Sequence, residues 1–473
     1  MGIAKIINVD KDKCVNCHQC IAACTTKFAN NGSGDYVEMN DELCIGCGEC
    51  LHACTHDART LIDDFDTFIQ APKKKEKIIA IVAPAVASSF PNRYLNLNGW
   101  LESIGVKAFF DVSFGAELTV KSYLEYVKRK KPKVVIAQPC PAIVNYIQIY
   151  TPELLPYLAP ADSPMVHTMK MVKEFYPEYK NHKMVVISPC VGKKREFDEV
   201  GFGDYNVTIY SLQKYFKEKG INLDDFPEVD FSNDKAERAV LFSTPGGLLM
   251  TAERENHEIR NVTRKIEGPR IVYKYFDKLT EQIKQNRNPL LIDCLNCEHG
   301  CNGGTGTIMK DASVDELEFY VEQRKVKMQS EYKTDSRDET NSDKLHQTIN
   351  KYWKPDLYSR TYQDHSHFFK DRIKVPNKKA LKEIYESMHK YSDKDIINCA
   401  SCGYNSCEMM AIAIHNNLNR KENCHFYIAH EVTTKNEELH EKTRRIVAQK
   451  QDIIHQSENL LEFIQKIRQY IQG

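Results

Sequence analysis

Two runs of four cysteines near the start of the chain constrain its fold more than any other feature. Both runs have the spacing C-x2-C-x2-C-x3-C, and they begin thirty residues apart: Cys14, Cys17, Cys20 and Cys24, then Cys44, Cys47, Cys50 and Cys54. Thiolates at this spacing ligate cubane iron-sulfur clusters. Zinc is the alternative metal, and a disulfide framework is the third interpretation. The sequence therefore predicts that this region folds around metal.

The doubled run is the pattern of a bacterial two-cluster ferredoxin, in which the fourth thiolate of each run crosses to the other cluster. The pattern predicts two ligand sets: Cys14, Cys17, Cys20 and Cys54 for one cluster, and Cys44, Cys47, Cys50 and Cys24 for the other. Thr25 and Thr55 replace the usual proline. That change affects the turn after the last ligand and leaves the ligands in place.

The composition argues against a nucleic-acid-binding or membrane protein. Lys and Arg together number 65, as do Asp and Glu, so no overall basic field favours nucleic acid. The longest apolar run, 78–87, contains Pro84 and is about half the length that spans a bilayer. Seventeen cysteines grouped in metal-binding runs, with no secretory signal ahead of Cys14, predict a cytoplasmic protein. We expect neither nucleic acid nor membrane as a partner.

After a charged linker at 73–77, short apolar runs alternate with amphipathic stretches to about residue 372, which predicts an α/β domain with parallel sheets. Three of the predicted strands, 134–136, 184–187 and 290–292, run directly into a cysteine. Open α/β sheets place their sites at the carboxyl ends of strands. A polar stretch at 333–344 predicts a surface loop.

A further cysteine group follows near the end of the chain. It has the spacing C-x2-C-x4-C with a distant fourth member: Cys399, Cys402, Cys407 and Cys424. It resembles a small single-cubane 4Fe-4S domain, with zinc as the alternative. Cys294 is then the one cysteine without a predicted metal, and we expect an inert buried thiol there.

The tail has an apolar residue at every seventh position: Val432, Leu439, Ile446, Ile453, Leu460 and Ile467. This interval is typical of one core position of a coiled coil. Polar residues occupy the companion positions Asn436, Thr443, Lys450 and Ser457 before Ile464 and Ile471. A long helix is predicted, either paired in a homodimer or packed on its own chain.

Four short stretches resemble the signatures of FeFe-hydrogenases, and the resemblance covers about residues 1 to 430. They are Gln138-Pro139-Cys140-Pro141, Ser188-Pro189-Cys190-Val191-Gly192-Lys193-Lys194, Cys297-Glu298-His299-Gly300-Cys301 and Asn302-Gly303-Gly304. In that family the matching cysteines, here Cys140, Cys190, Cys297 and Cys301, hold the H-cluster. This cofactor is a 4Fe-4S cubane bridged to a diiron unit that carries CO, cyanide and azadithiolate ligands. Cys301 matches the bridging thiolate.

The resemblance also assigns residues around the diiron unit. Lys193 matches the family lysine that meets a cyanide, where a cationic donor offsets the ligand's negative charge. Ala83-Pro84-Ala85 resembles the backbone loop that cradles the other cyanide. The implied cofactors are the H-cluster and three accessory 4Fe-4S clusters, which would relay electrons one at a time.

Departures from the catalytic members fall on the proton path. Pro139 stands where they carry a second cysteine, and Tyr123 aligns with a glutamate of the relay. Ser188 and Leu295 align with two methionines that pack the diiron site. Three residues are candidates for a substitute relay, with surface or structural roles as the alternative: Glu298, His299 and Glu253.

Together these features predict four domains: a two-cluster ferredoxin-like α+β domain at 1–72, an α/β H-cluster domain at 73–372, a single 4Fe-4S domain at 373–430 and a C-terminal helix at 431–473. An intact cofactor cage with a changed proton path resembles the sensory FeFe-hydrogenases. No PAS domain follows in this sequence.

The resemblance implies slow, reversible H2 conversion that reports H2 or redox state. Implied partners are H2 and protons, a redox carrier such as ferredoxin, hydrogenase maturation proteins, and a signalling kinase or phosphatase. An ordinary fermentative hydrogenase is the first alternative. The second, of another class, is an iron-sulfur assembly or electron-transfer protein without the diiron unit.

Overall fold

The computed structural model describes residues 3–309, 312–332 and 340–472, with the side chains of 340–343 left out. The chain divides into two compact units, Met1–Ile373 and Lys374–Gly473. Of the loop predicted at 333–344, residues 333–339 lie outside the described residues, and a helix begins at Thr340.

All eleven strands of the described residues lie in the first unit. They are β1 (Ile7–Val9), β2 (Asn30–Asn31), β3 (Glu38–Met39), β4 (Arg59–Leu61), β5 (Ile78–Val82), β6 (Val106–Asp111), β7 (Val135–Ile136), β8 (Lys183–Ser188), β9 (Tyr205–Thr208), β10 (Thr263–Glu267) and β11 (Leu291–Leu295).

Fifteen α-helices of the described residues also lie in this unit. They are α1 (Gln19–Ala23), α2 (Glu49–His52), α3 (Phe65–Phe68), α4 (Val86–Ser89), α5 (Tyr94–Ser103), α6 (Val112–Lys130), α7 (Pro141–Tyr150), α8 (Pro164–Phe175), α9 (Lys193–Val200), α10 (Ile209–Lys219), α11 (Gly247–Glu255), α12 (Pro269–Lys284), α13 (Val314–Tyr332), α14 (Thr340–Tyr352) and α15 (His367–Arg372).

Two parallel sheets form the centre of the first unit, as predicted. One has the strand order β6-β5-β8-β9 and the other β10-β11-β7. Every residue of β5 and β11 is buried, as expected where helices cover both faces of a parallel sheet. The Ile- and Val-rich runs of these strands therefore form the core, and their carboxyl ends carry the loops that matter below.

The N-terminal part of this unit is built from short antiparallel pairs, β1 with β4 and β2 with β3. Its cysteine runs lead into the single-turn helices α1 and α2, whose N-terminal flanking residues His18 and Gly48 have positive φ. Apolar side chains between these elements, among them Ile6, Ile7 and Ile21, are fully buried.

Arg195 fixes the N-terminal part to the sheets. This buried side chain donates to the main-chain carbonyl oxygens of Ala4 (3.0 Å), Asp41 (3.2 Å) and Cys44. Tyr150 donates to the carbonyl oxygen of Leu43 at 2.6 Å. A guanidinium satisfied by three carbonyls holds the backbone around the second cysteine run against α9.

The second unit contains α16 (Lys378–Ser387), α17 (Cys407–His415) and α18 (His425–Gln472). The 48 residues of α18 form one continuous helix about 72 Å long. None of its residues is buried. Across the described part of the chain, no helix combines the length and apolarity that crossing a bilayer requires.

Candidate functional site: a four-cysteine cage and its cavity

Three loops at the carboxyl ends of parallel strands carry the predicted cage cysteines. Cys140 follows β7 and precedes the first turn of α7, and Cys190 follows β8 by two residues. Cys297 and Cys301 follow β11. The cage therefore draws on both sheets, and its position agrees with the rule for open α/β sheets.

The four thiols lie close together in a buried site. Burial, reinforced by the charges of neighbouring cage thiols, raises the pKa of Cys190 to about 11 and that of Cys301 to about 12. Burial and those same neighbours also raise the pKa of Cys297. Such thiols would be neutral in the absence of metal, whereas bound iron deprotonates them. The donor set thus fits a cubane cluster.

Close backbone packing closes the cage. Gly300 has a φ of +61°, and a Cβ there would lie 2.4 Å from the carbonyl oxygen of Ser243. A Cβ on Gly304 would lie 2.4 Å from the carbonyl oxygen of Pro189. Gly300 and Gly304 therefore allow three loops to meet without side chains between them.

A cavity adjoins the cage. It is lined by Ala83, Pro84, Ala85, Val112, Ala116, Pro139, Pro164, Met165, Pro189, Lys193, Phe242, Ser243, Leu295 and Cys301. The residues that the resemblance placed around a diiron unit, Ala83, Pro84, Lys193 and Cys301, all belong to this one lining. Segments more than 200 residues apart in the sequence thus meet at a single space.

Lys193 is the one cation in this lining. Its ammonium donates to the carbonyl oxygen of Pro139 at 3.0 Å and to Glu196 at 2.5 Å. Arg360 donates to the other Glu196 oxygen at 2.9 Å. Burial opposes ionisation of Glu196, but the charges of Lys193 and Arg360 lower its pKa overall. These bonds use two of the three ammonium donors, so one is available for an anionic ligand.

The cavity also presents one polar group whose bonding capacity is unused. The hydroxyl of Ser243 is buried and has no hydrogen-bond partner among the described residues. A buried donor without a partner costs free energy unless something else accepts its proton. Together with Lys193 and Cys301, it fits a compact anionic group. The diiron unit, when bound, would supply H2 cleavage at an open iron.

The lining contains no carboxylate and no imidazole within the described ranges. Glu298 is exposed and His299 is half-buried, and neither lines the cavity. Glu253 forms a surface ion pair with Arg260 at 2.5 Å. The relay roles predicted for these three residues stay predictions.

Tyr123 stands at the position that aligns with the relay glutamate. Burial raises the pKa of its hydroxyl, which accepts the Gln138 N–H at 3.2 Å.

Glu117 follows the cavity residue Ala116 and is buried, but its bonding capacity is already used. It pairs with Arg254 at 2.7 Å and accepts the main-chain N–H groups of Glu237 (3.0 Å) and Ala239 (3.2 Å). A carboxylate held by these donors is a structural anchor and a poor proton relay.

Ser188 and Leu295, which align with two methionines of the catalytic members, lie differently relative to the cavity. Leu295 lines the cavity, whereas Ser188 turns away and bonds to Cys190, donating to its carbonyl oxygen at 2.9 Å and accepting its N–H at 3.2 Å. Met165 of α8 brings a methionine to the lining that the sequence did not predict. Cys294 is buried, as predicted.

The N-terminal cysteines gather around a buried cation. Cys24 lies close enough to Cys44 and Cys47 for their charges to interact, which is the neighbourhood that a crossing ligand requires. Arg59 is buried within electrostatic reach of Cys20 and Cys50, and it donates to Asn30 at 2.7 Å. One guanidinium thus stands between the two predicted cluster sites.

The second cluster site adjoins the cage. The glycines Gly46 and Gly192 pack together, with 3.7 Å between the Cα of Gly192 and the position of a Cβ on Gly46. Tyr273 is buried within electrostatic reach of Cys47, Cys140 and Cys297. Only a few atoms therefore separate the two sites, as a short electron path requires.

In the second unit, the four predicted ligands line one cavity: Cys399, Cys402, Cys407 and Cys424. Cys399 is exposed, whereas the other three are buried. The buried Lys390 also lines this cavity and donates to the carbonyl oxygen of Asp395 at 2.6 Å. Four thiols around one space are a donor set that fits one small cluster.

Comparison with known proteins identifies two domains. Residues 76–305 match the family described as iron only hydrogenase large subunit, C-terminal domain, and residues 13–59 match the 4Fe-4S dicluster domain. The chain is 26% identical to Iron hydrogenase 1 of Clostridium pasteurianum, over 55% of this chain and 54% of that protein.

It is 23% identical to the NADP-reducing hydrogenase subunit HndD of Solidesulfovibrio fructosivorans, over 53% of this chain and 51% of that protein. A solved structure of a HydA1 variant from Chlamydomonas reinhardtii aligns with a TM-score of 0.47 and 17% identity, over 64% of this chain and all of that one. The chain spans about half the length of the two curated relatives. Residues 76–305 therefore resemble the C-terminal domain of an iron only hydrogenase large subunit, and residues 13–59 resemble a 4Fe-4S dicluster domain.

Proposed function

We propose that this protein is a sensory FeFe-hydrogenase. It converts H2 to protons and electrons slowly and reversibly at an H-cluster, and its main task is to report H2 or redox state to a signalling partner. The observation that carries this proposal is the cavity lining. Lys193, Cys301 and the Ala83-Pro84 loop line one space that the cofactor would occupy, while the described lining offers no carboxylate or imidazole for proton transfer.

Slow turnover follows from that lining. A positioned acid or base typically contributes about 10²- to 10⁴-fold to a proton-transfer rate. Pro139 has no proton to give, and the phenol of Tyr123 holds its proton tightly because burial raises its pKa. Ser243 is the hydroxyl of the lining, and it orients a ligand better than it exchanges protons at neutral pH.

Electrons would leave the cage through the adjacent site of Cys44, Cys47, Cys50 and Cys24, and then through the site that contains Cys17. The cysteines of the inner site Cys44, Cys47 and Cys50 are buried, whereas Cys17 is exposed. A redox carrier such as ferredoxin could therefore exchange electrons near Cys17. Hydrogenase maturation proteins would supply the diiron unit.

Signal output would use the second unit, where the exposed Cys399 marks a cluster site that a partner can reach. The apolar stripe of α18 fits a second copy of this chain, because six side chains at intervals of seven are 42 to 64% exposed. A kinase or phosphatase would then bind the paired helices.

Sedimentation tests the pairing. The unchanged chain should be a dimer and the Leu460→Asn variant a monomer. A monomeric unchanged chain would contradict the pairing.

The test of the whole proposal is infrared spectroscopy of protein loaded with a synthetic diiron cofactor, under H2 and under inert gas. We expect sharp CO and cyanide bands that shift under H2, together with turnover at least about tenfold below that of a catalytic hydrogenase assayed alongside. Bands with fast turnover would indicate the ordinary enzyme. Intact cubanes without protein-bound bands would refute the hydrogenase chemistry.

A further inference from the structure

A second type of metal site is suggested by three side chains in the C-terminal unit. His389 follows α16, and His430 and Glu431 lie on the second turn of α18. One ligand atom from each residue can be chosen so that all three lie within 4.8 Å of one another. None of these residues belongs to the cysteine sites described above.

The backbone holds His389 in place. After α16 ends, His389 has a φ of +59°, a left-handed conformation that most residues avoid. Its neighbours Met388 and Lys390 are buried and line the four-cysteine cavity. The turn that shapes one side of that cavity therefore also directs His389 toward α18.

Two stacking contacts fix the imidazole ring of His389. It stacks on Tyr427 with ring centroids 5.0 Å apart and on His430 with centroids 4.1 Å apart. Its Nε2 lies 2.6 Å from a carboxylate oxygen of Glu431, and its Nδ1 lies 3.4 Å from the hydroxyl of Tyr391. A partner on the second ring nitrogen is the arrangement that orients histidine ligands in metal sites.

We propose that His389, His430 and Glu431 bind one divalent transition-metal ion of the zinc class. Two imidazole nitrogens and one carboxylate oxygen suit such ions, and a fourth position would be left for water. An ion about 2.1 Å from each ligand atom keeps those atoms about 3.4 Å apart. The Nε2 of His389 and the Glu431 oxygen, now 2.6 Å apart, would have to separate by about 0.8 Å, which takes side-chain rotation and no change of fold.

The bound ion joins the turn after α16 to the start of α18. Because that turn also lines the four-cysteine cavity, the ion fixes the direction in which the long helix leaves the cluster site. Metal occupancy and helix orientation within this unit are thereby linked. This inference does not depend on H2 chemistry.

The chain offers a matched control on the same helix. His440 and Glu441 repeat the adjacent histidine and glutamate of the site on an exposed part of α18, and Glu441 pairs with Arg445 at 2.5 Å. A histidine corresponding to His389 is absent from the contacts of that pair within the described residues. If any adjacent histidine and glutamate on this helix bound zinc, substitutions in either pair would weaken zinc binding equally.

The experiment uses the full chain with its iron-sulfur clusters, treated with a chelator and dialysed against Zn²⁺. Iron and zinc are counted by mass spectrometry. We expect one zinc per chain beyond the iron, and Kd for zinc weaker by about tenfold or more in Glu431→Gln and His389→Ala. His440→Ala and Glu441→Gln should bind zinc like the unchanged chain.

Zinc K-edge absorption separates this site from the cysteines. Nitrogen and oxygen neighbours at about 2.0 to 2.2 Å support the proposal, whereas sulfur at about 2.3 Å would place the zinc in a cluster site and overturn it. Absence of zinc uptake, or equal loss in the His440 and Glu441 variants, would overturn it as well. Unchanged iron content in Glu431→Gln shows that the fold is retained.

Discussion

The cage of the first unit and the site of the second unit each consist of four cysteines, but the two sites are assembled in opposite ways. Cage cysteines come from three loops between residues 140 and 301 and depend on two sheets for their positions. The second site takes its cysteines from residues 399–424, with one of them exposed. The cage is suited to shielded chemistry, and the second site to contact with a partner.

The largest effect should come from removing the cysteine that adjoins the cavity. Cys301→Ala should abolish attachment of the diiron unit, and with it the infrared bands and H2 turnover, because no other thiol lines the cavity within the described residues. Cys294→Ala is the matched control, since that thiol is buried nearby without lining the cavity. Equal loss in both variants would show that general destabilisation, and not ligation, is responsible.

Restoring a proton donor should have the next largest effect. Pro139→Cys places a thiol in the cavity lining, and we expect H2 turnover to rise by roughly tenfold or more. Pro139→Ala is the control, because it removes the proline without adding a proton donor. A Pro139→Cys protein no faster than Pro139→Ala would show that proton transfer at this position does not limit the rate.

A change of charge between the two N-terminal sites should shift their potentials. Arg59→Gln removes the buried cation beside Cys20 and Cys50, which disfavours the reduced, more negative clusters. Both potentials should become more negative, by roughly tens of millivolts. Spectroelectrochemistry measures this shift. The exposed Arg93, paired with Asp224 at 2.8 Å, supplies Arg93→Gln as a control that should leave the potentials unchanged.

Stability of the first unit should depend on the pH through Asp293. Burial raises the pKa of this β11 carboxyl from 3.8 to about 7. The folded state therefore holds the proton more tightly than the unfolded chain does, so stability falls as the pH rises from about 4 to 7 and then stays level.

Asp293→Asn should remove this loss, because an amide oxygen can still accept the Leu249 N–H that Asp293 accepts at 3.0 Å. Thermal unfolding at pH 8 should show stabilisation by roughly 1 to 3 kcal/mol, and the gain should shrink at pH 5.5. A variant less stable at both values would contradict the assignment.

The smallest effect on turnover should follow Cys402→Ala in the second unit. This change removes a ligand from the local site and should release the iron of one cluster. H2 turnover with an artificial electron donor should change by less than about twofold, because the cage belongs to another compact unit. A loss above tenfold would place the second site on the obligatory electron route.

The local cysteine patterns were the most predictable part of the molecule. Four cysteines within a short stretch of chain predict a metal site by spacing alone, and the run at residues 13–59 matches a 4Fe-4S dicluster domain. The strands were predictable too, because buried parallel strands are continuous apolar runs. The predicted run 184–187 lies within β8, and 134–136 contains all of β7.

The cage and its surroundings could not be derived from local sequence. Cys140 and Cys190 meet only because their strands end at one place, so resemblance to a family was needed to pair them. Met165, Ser243 and Arg59 gave no sequence signal, since each acts through contacts with residues that are distant in the chain. Glu298 and His299 adjoin the cage cysteines in sequence, but proximity in sequence does not determine which side chains line the cavity.

The contact that Arg195 makes has a consequence for how this chain can evolve. Its guanidinium binds main-chain carbonyl groups, which every residue type possesses. A side-chain substitution on the segment that it contacts therefore leaves these bonds in place, whereas Cys44 as a predicted ligand and the buried Leu43 are constrained for other reasons. An insertion or deletion between Asp41 and Cys44 would instead displace two of the three acceptors, so the length of that segment is far less free to change than its composition.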